Sequence, residues 1–64
     1  MNEMQLRHDI YFSLTLRQKR KLNTISSSVM LHTLSMTDFL KITKNKILIE
    51  KFIKLKRLHI RLVA

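Results

Sequence analysis

Three histidines, His8, His32 and His59, and four carboxylates, Glu3, Asp9, Asp38 and Glu50, are the side chains that acid–base or metal chemistry would use here. Their spacing in the sequence supports neither. The histidines are scattered, without the short intervals of common metal-ligand motifs. The carboxylates form no pair, and Asp38 has a capping role instead. Serine, histidine and aspartate all occur, but nothing in the order of the chain gathers them into a nucleophile, base and orienting group. The four methionines read as packing residues or translation starts. Glycine is absent, so a phosphate-cradling glycine-rich loop is excluded, and with it the P-loop and dinucleotide-binding classes. The sequence thus predicts no catalytic residue, no metal site, no cofactor and no small-molecule substrate.

Cationic chemistry is abundant by contrast. Thirteen Lys and Arg stand against four Asp and Glu, giving a net charge of +9 and a pI near 10.8. Such an excess repels itself and is relieved by a polyanion, either nucleic acid or an anionic membrane. The sharpest run is Arg17-Gln-Lys-Arg-Lys21. With the later lysines it yields a candidate contact set of Arg17, Lys19, Arg20, Lys21, Lys44, Lys46, Lys51 and Lys54.

The elements that must carry these residues read as helices. Ser35 can cap a short helix, with Asp38 completing a capping box, and Phe39, Leu40 and Ile42 supply its apolar side. Asn45 and Lys46 mark a turn, since Asn tolerates the left-handed conformation that ends helices. A longer helix is expected from about Leu48. At 100° per residue, Leu48, Ile49, Phe52, Ile53, Leu55, Ile60, Leu62 and Val63 share one side of it. Lys46, Lys54, Arg57 and Arg61 lie opposite, with Glu50 among them. Lys56 intrudes on the apolar side, where its stem can snorkel. Upstream, Leu22, Ile25 and Val29 make one stripe, so the basic run forms the first turns of a helix that packs through its later ones. Ser26-Ser-Ser28 interrupts that pattern, either as a loop break or as a small-residue contact, because serine is a mediocre helix former. Ile10 to Leu16 is β-branched and aromatic but has no second strand to pair with. It reads as an extended or helical entry to the basic run.

The expected fold is all-α, a small bundle of about three short helices. Residues 1–13 form an extended or frayed tail and residues 14–64 a basic helical domain. Its core residues are Leu22, Ile25, Val29, Phe39, Phe52 and Ile53. A chain this short buries only about 60% of its unfolded surface, and no cysteine is present to staple it. A partner is therefore expected to complete the fold. The start does not read as a secretory signal, and no apolar run approaches the roughly 20 residues of a membrane span.

With the basic run and the hairpin in view, the chain resembles the C-terminal half of the bacterial-type large-subunit ribosomal protein numbered twenty, in a strongly drifted form. That family carries a basic run followed by isoleucines, two small alanines, L-S-Y-S-x-F, K-K and I-x-L-N-R. Here Arg17 to Lys21 is the basic run, and Leu22 and Ile25 stand at the isoleucines. Ser27 and Ser28 stand at the alanines. Leu34, Ser35, Thr37 and Phe39 match L-S-x-S-x-F, with Met36 for the tyrosine. After one deletion, Thr43-Lys44 falls on K-K, and Ile47, Ile49, Glu50 and Lys51 fall on I-x-L-N-R. The match covers about half the chain. It lacks the family's tryptophan and long basic arm, and it has Thr24, Ser26 and Thr33 where the family has arginine, asparagine and glycine.

The resemblance implies a non-catalytic structural protein of the large ribosomal subunit, bound to ribosomal RNA and neighbouring ribosomal proteins. It also implies that the serines make a tight helix contact. A composition rich in Lys, Ile and Leu and without Gly or Pro fits an AT-rich genome, such as that of an organelle, an endosymbiont or a phage. Taken with the resemblance, it implies an organellar ribosome, a mitochondrion before a plastid. Two other readings compete. One is a cationic amphipathic peptide on a membrane surface, resting on the last helix, although interfacial helices favour the tryptophan this chain lacks. The other is a small helix-turn-helix DNA binder, for which Leu48, Ile49 and Glu50 make a poor base-reading set.

Overall fold

A computed structural model describes the backbone of residues 2–63 and the side chains of all of these but 28, 29 and 61–63. Four α-helices follow one another: α1 (Glu3–Ser13), α2 (Leu16–Ile25), α3 (Met36–Ile42) and α4 (Lys46–Val63). A 3-10 segment (Ser28–Thr33) lies between α2 and α3. The all-α bundle expected from the sequence is what the chain adopts, with one helix more than expected.

That extra helix occupies the segment read as a tail. Residues 1–13 are not a frayed arm: Glu3–Ser13 is helical and supplies a wall of the core. Two features drive this. Asn2 and Gln5 form a reciprocal capping box, Asn2 Oδ1 accepting from Gln5 N at 2.8 Å and Gln5 Oε1 accepting from Asn2 N at 3.3 Å. Leu6, Ile10 and Leu14 then recur at i, i+4 and i+8, and all three are buried.

Thr15 and Gln18 repeat the capping box at the start of α2. This helix buries only Leu22 and stops at Ser26, whose backbone is extended. The expected stripe through Ile25 and Val29 is thus cut short. Ile25 is 45% exposed, and Val29 lies outside the described side chains. Ser26 and Ser27 act as the loop break rather than as a tight helix contact, Ser26 being half-buried and Ser27 exposed, and the Ser28 side chain lies outside the described ones.

Ser35 caps α3, its hydroxyl accepting from Asp38 N at 3.1 Å, but only this half of the expected capping box forms, the Asp38 carboxylate facing Lys41 instead. Asn45 behaves differently from expectation. No described residue has positive φ, so Asn45 does not end α3 in the left-handed region. It instead starts α4, its Oδ1 accepting from Ile47 N at 3.0 Å and from Leu48 N at 3.4 Å. The long helix accordingly begins at Lys46, and its 18 residues span about 27 Å.

α1 packs along α4, the 3-10 segment wedges against both, and α2 lies on α3. One core results, built from Leu6, Ile10, Leu14, Leu22, Leu31, Leu34, Phe39, Ile42, Leu48, Phe52 and Leu55. Phe39 and Phe52 stack at its centre, ring centroids 4.0 Å apart and planes 3° from parallel. Lys56 Nζ sits 5.2 Å from the Phe52 centroid, so its stem covers the apolar side while its charge remains over the ring. Ile53, expected in the core, is 36% exposed. It falls one residue past Phe52 and turns to the rim.

Truncating Phe39 removes half of the central stack. Phe39→Ala should cost about 3–5 kcal/mol, comparable to the whole stability of so small a core. Lys41→Ala, on the wet side of the same helix, should change stability by less than about 0.5 kcal/mol. Urea melts followed by circular dichroism would separate the two; equal effects would mean that the stack is not the keystone.

Candidate nucleic-acid interface

The eight cations singled out in the sequence divide into two groups. Arg17, Arg20, Lys21, Lys44, Lys46 and Lys54 are exposed, whereas Lys19 and Lys51 are half-buried. Lys51 is turned inward by an ion pair with Asp9 of α1. Lys19 Nζ lies 5.3 Å from the ring centroids of both Tyr11 and Phe12, also on α1. Both half-buried lysines thus tie neighbouring helices to α1, a use the sequence order alone does not disclose.

One bond links the two elements that carry most of the exposed set. Lys21 Nζ donates to the backbone carbonyl of Lys41 at 2.8 Å. That carbonyl belongs to the last turn of α3, where the helix leaves acceptors without backbone partners and the macrodipole favours a cation. The bond fixes the basic end of α2 beside the turn that carries Lys44 and Lys46. The turn itself is rigid: Thr43 is 3% exposed, and its hydroxyl accepts from Asn45 N at 3.1 Å. Lys54 and Arg57 are exposed farther along α4, with Glu50 on the same side.

Most of the carboxylates are already engaged. Asp9 holds Lys51, Asp38 lies 4.0 Å from Lys41, and Glu3 faces His59 and His32. The acidic groups are therefore largely spent inside the fold or along α3, and the exposed cations of α2 and the α3–α4 turn keep an uncompensated field.

An aromatic corner adjoins Lys19. From the sequence Tyr11 and Phe12 read as packing anchors on the domain or a partner rather than as a stacking platform, and only Tyr11 packs against the core. Phe12 is 64% exposed, with Tyr11 edge-on to it at 5.5 Å and His8 tilted against it at 4.9 Å. The i, i+4 spacing of His8 and Phe12 would have indicated the pairing had residues 1–13 been read as a helix.

The histidines also require correction. Although far apart in sequence, His32 of the 3-10 segment and His59 of α4 lie tilted against each other, centroids 4.2 Å apart and planes 38° from parallel, and Glu3 of α1 reaches both. Burial, together with the neighbouring His59, holds the His32 imidazole below the usual histidine pKa, with Glu3 opposing and Arg7 and Lys56 reinforcing the shift. Sequence spacing could not reveal this group, because three separate elements contribute to it.

Compared with protein-family models, with curated proteins and with solved structures, the chain matches none. Among the described residues no helix is long and apolar enough to cross a membrane.

Exposed and paired lysines should differ in the salt dependence of polyanion binding. Arg20→Ala should reduce the slope of log K against log salt by about one. Lys51→Ala should leave the slope unchanged and cost at most about 1 kcal/mol of stability through the lost Asp9 pair. Fluorescence anisotropy with a labelled RNA over a potassium chloride series would read both; an equal loss of slope would show that Lys51 meets phosphate.

Proposed function

We propose that this protein is a non-catalytic RNA-binding protein that lies on structured RNA, and that its RNA is ribosomal, in the large subunit of an organellar ribosome, a mitochondrion before a plastid. The observation that carries the reading is the exposed, internally uncompensated set Arg17, Arg20, Lys21, Lys44 and Lys46, carried on α2 and on the α3–α4 turn, which the bond from Lys21 to Lys41 links. Cations carried on packed helices meet phosphates in a set register, which positions a protein on RNA.

The aromatic corner supports RNA over a generic polyanion. An exposed ring beside a lysine offers a stacking platform for an unpaired base, and single-stranded loops and bulges supply such bases. The ribosomal assignment rests on the family resemblance. The residues matched to its L-S-x-S-x-F stretch are coherent in the fold, Leu34 being buried, Ser35 capping α3 and Phe39 filling the core. Neighbouring ribosomal proteins are the expected further partners.

The competing readings fit less well. A membrane-surface helix needs a free apolar face, but Leu48, Phe52 and Leu55 of α4 are at most 3% exposed and belong to the core. A helix-turn-helix DNA reader fits the short α3, the tight turn and the long α4. The exposed residues of the first turns of α4 are nonetheless Lys46, Ile47 and Glu50, of which the isoleucine reads no hydrogen-bonding edge and the glutamate repels phosphate.

Two measurements test the proposal. If about six of the cations meet phosphates, affinity for a structured RNA should fall with log salt at a slope of roughly −4 to −5. Phe12→Ala should weaken binding to a hairpin with an unpaired loop, by about 1–3 kcal/mol per stacked base, and leave a perfect duplex unaffected. A salt-insensitive complex, or tighter binding to anionic vesicles than to RNA, would overturn the reading.

A further inference from the structure

We propose that Glu3, His32 and His59 form a binding site for a single divalent transition-metal ion of the zinc class, which staples α1, the 3-10 segment and α4 together. Each residue offers one ligand atom, and the three atoms lie within 4.8 Å of one another. Glu3 Oε1 stands 3.1 Å from His59 Nδ1 and 3.7 Å from His32 Nδ1. Ligands bound at about 2.0–2.1 Å in a tetrahedral site stand roughly 3.3 Å from one another, so only small side-chain movements are needed to close on an ion.

A second observation points the same way. His32 Nδ1 is buried and makes no hydrogen bond. An unpaired buried nitrogen is costly and uncommon. Glu3 Oε1 lies beyond hydrogen-bond range of it, having closed on His59 instead. An ion between the three groups would satisfy the orphan nitrogen and keep the carboxylate engaged.

The chemistry of the donor set selects the ion. Two imidazole nitrogens and one carboxylate oxygen suit zinc and its neighbours and leave a fourth position for water. Calcium and magnesium prefer all-oxygen sites. The His59 side chain is 38% exposed, against 13% for His32 and 16% for Glu3, so the site opens to solvent on the α4 side. Arg7 and Lys56 act electrostatically on His32 and would weaken the site relative to one without cationic neighbours. The benefit is mechanical: a small domain without cysteine gains most from a metal that joins elements distant in sequence.

The test uses the full chain, stripped with chelator and titrated with zinc chloride. Calorimetry should find one ion per chain, and zinc at about 100 times its Kd should raise Tm by roughly 10–20 °C. Cobalt(II) in place of zinc should give the visible absorption of a low-coordinate nitrogen and oxygen site. Zinc should also shift the ring-nitrogen NMR signals of His32 and His59 but not those of His8, a readout that needs no variant. His59→Ala and Glu3→Gln should each lose the zinc-induced rise in Tm, whereas His8→Ala should keep it. Absence of saturable one-to-one binding would overturn the proposal and leave a hydrogen-bonded Glu3–His59 pair in its place. So would zinc shifts confined to His8, or a rise in Tm that survives both His59→Ala and Glu3→Gln.

Discussion

The face-to-face contact of Phe39 with Phe52 is the interaction on which the rest of the fold depends. Both rings are fully buried, and they join the shortest α-helix to the longest. Among the described residues eleven buried apolar side chains form the core, with Tyr11, Met36, Ile49 and Leu58 packed against it, so little is surplus in a domain of this size. The helix entries serve this contact. The Ser35 cap sets the start of α3, and Asn45 sets the start of α4 only three residues after α3 ends. With both ends fixed, the two rings meet in one register.

A core so small leaves electrostatics in control of the surface. The chain carries +9, and most of its few carboxylates are committed: Asp9 locks α1 to α4 through Lys51, and Glu3 gathers two imidazoles, while Glu50 stays exposed on α4. What remains outside is mostly positive. The bond from Lys21 to the end of α3 turns a helix dipole into a tether for a basic helix. The features that stabilise the fold therefore also segregate its charge, and binding a polyanion would relieve the repulsion that results. The Glu3, His32 and His59 group lies where α1, the 3-10 segment and α4 converge. A metal there would act on stability without competing for the basic surface.

Much of this was legible in the sequence, and the rest was hidden for specific causes. The α3 cap, the inward direction of Phe39 and the alternation of Leu48, Phe52 and Leu55 are local patterns, and local patterns survive folding. The first helix was legible but outweighed. Asn2 and Gln5 spell a capping box and Leu6, Ile10 and Leu14 an apolar stripe, yet the polar residues between them made the segment look like a tail. The stripe breaks at Ile25, because α2 ends at Ser26 before its apolar side returns to the core. Asn45 was assigned the wrong role, since the same residue type favours both helix ends. The inward turns of Lys19 and Lys51 and the meeting of His32 with His59 depend on the relative placement of three elements. No one-dimensional spacing encodes that.

Lysine footprinting is the most direct test of the claim that the fold presents a fixed cationic surface to RNA. The protein would be acetylated briefly, free and bound to a structured RNA, and each lysine quantified by mass spectrometry. Lys44, Lys46 and Lys54 should react readily in the free protein and be protected in the complex, whereas Lys51, paired with Asp9, should be slow in both. Equal reactivity of these lysines with and without RNA, or protection confined to Lys51, would contradict it.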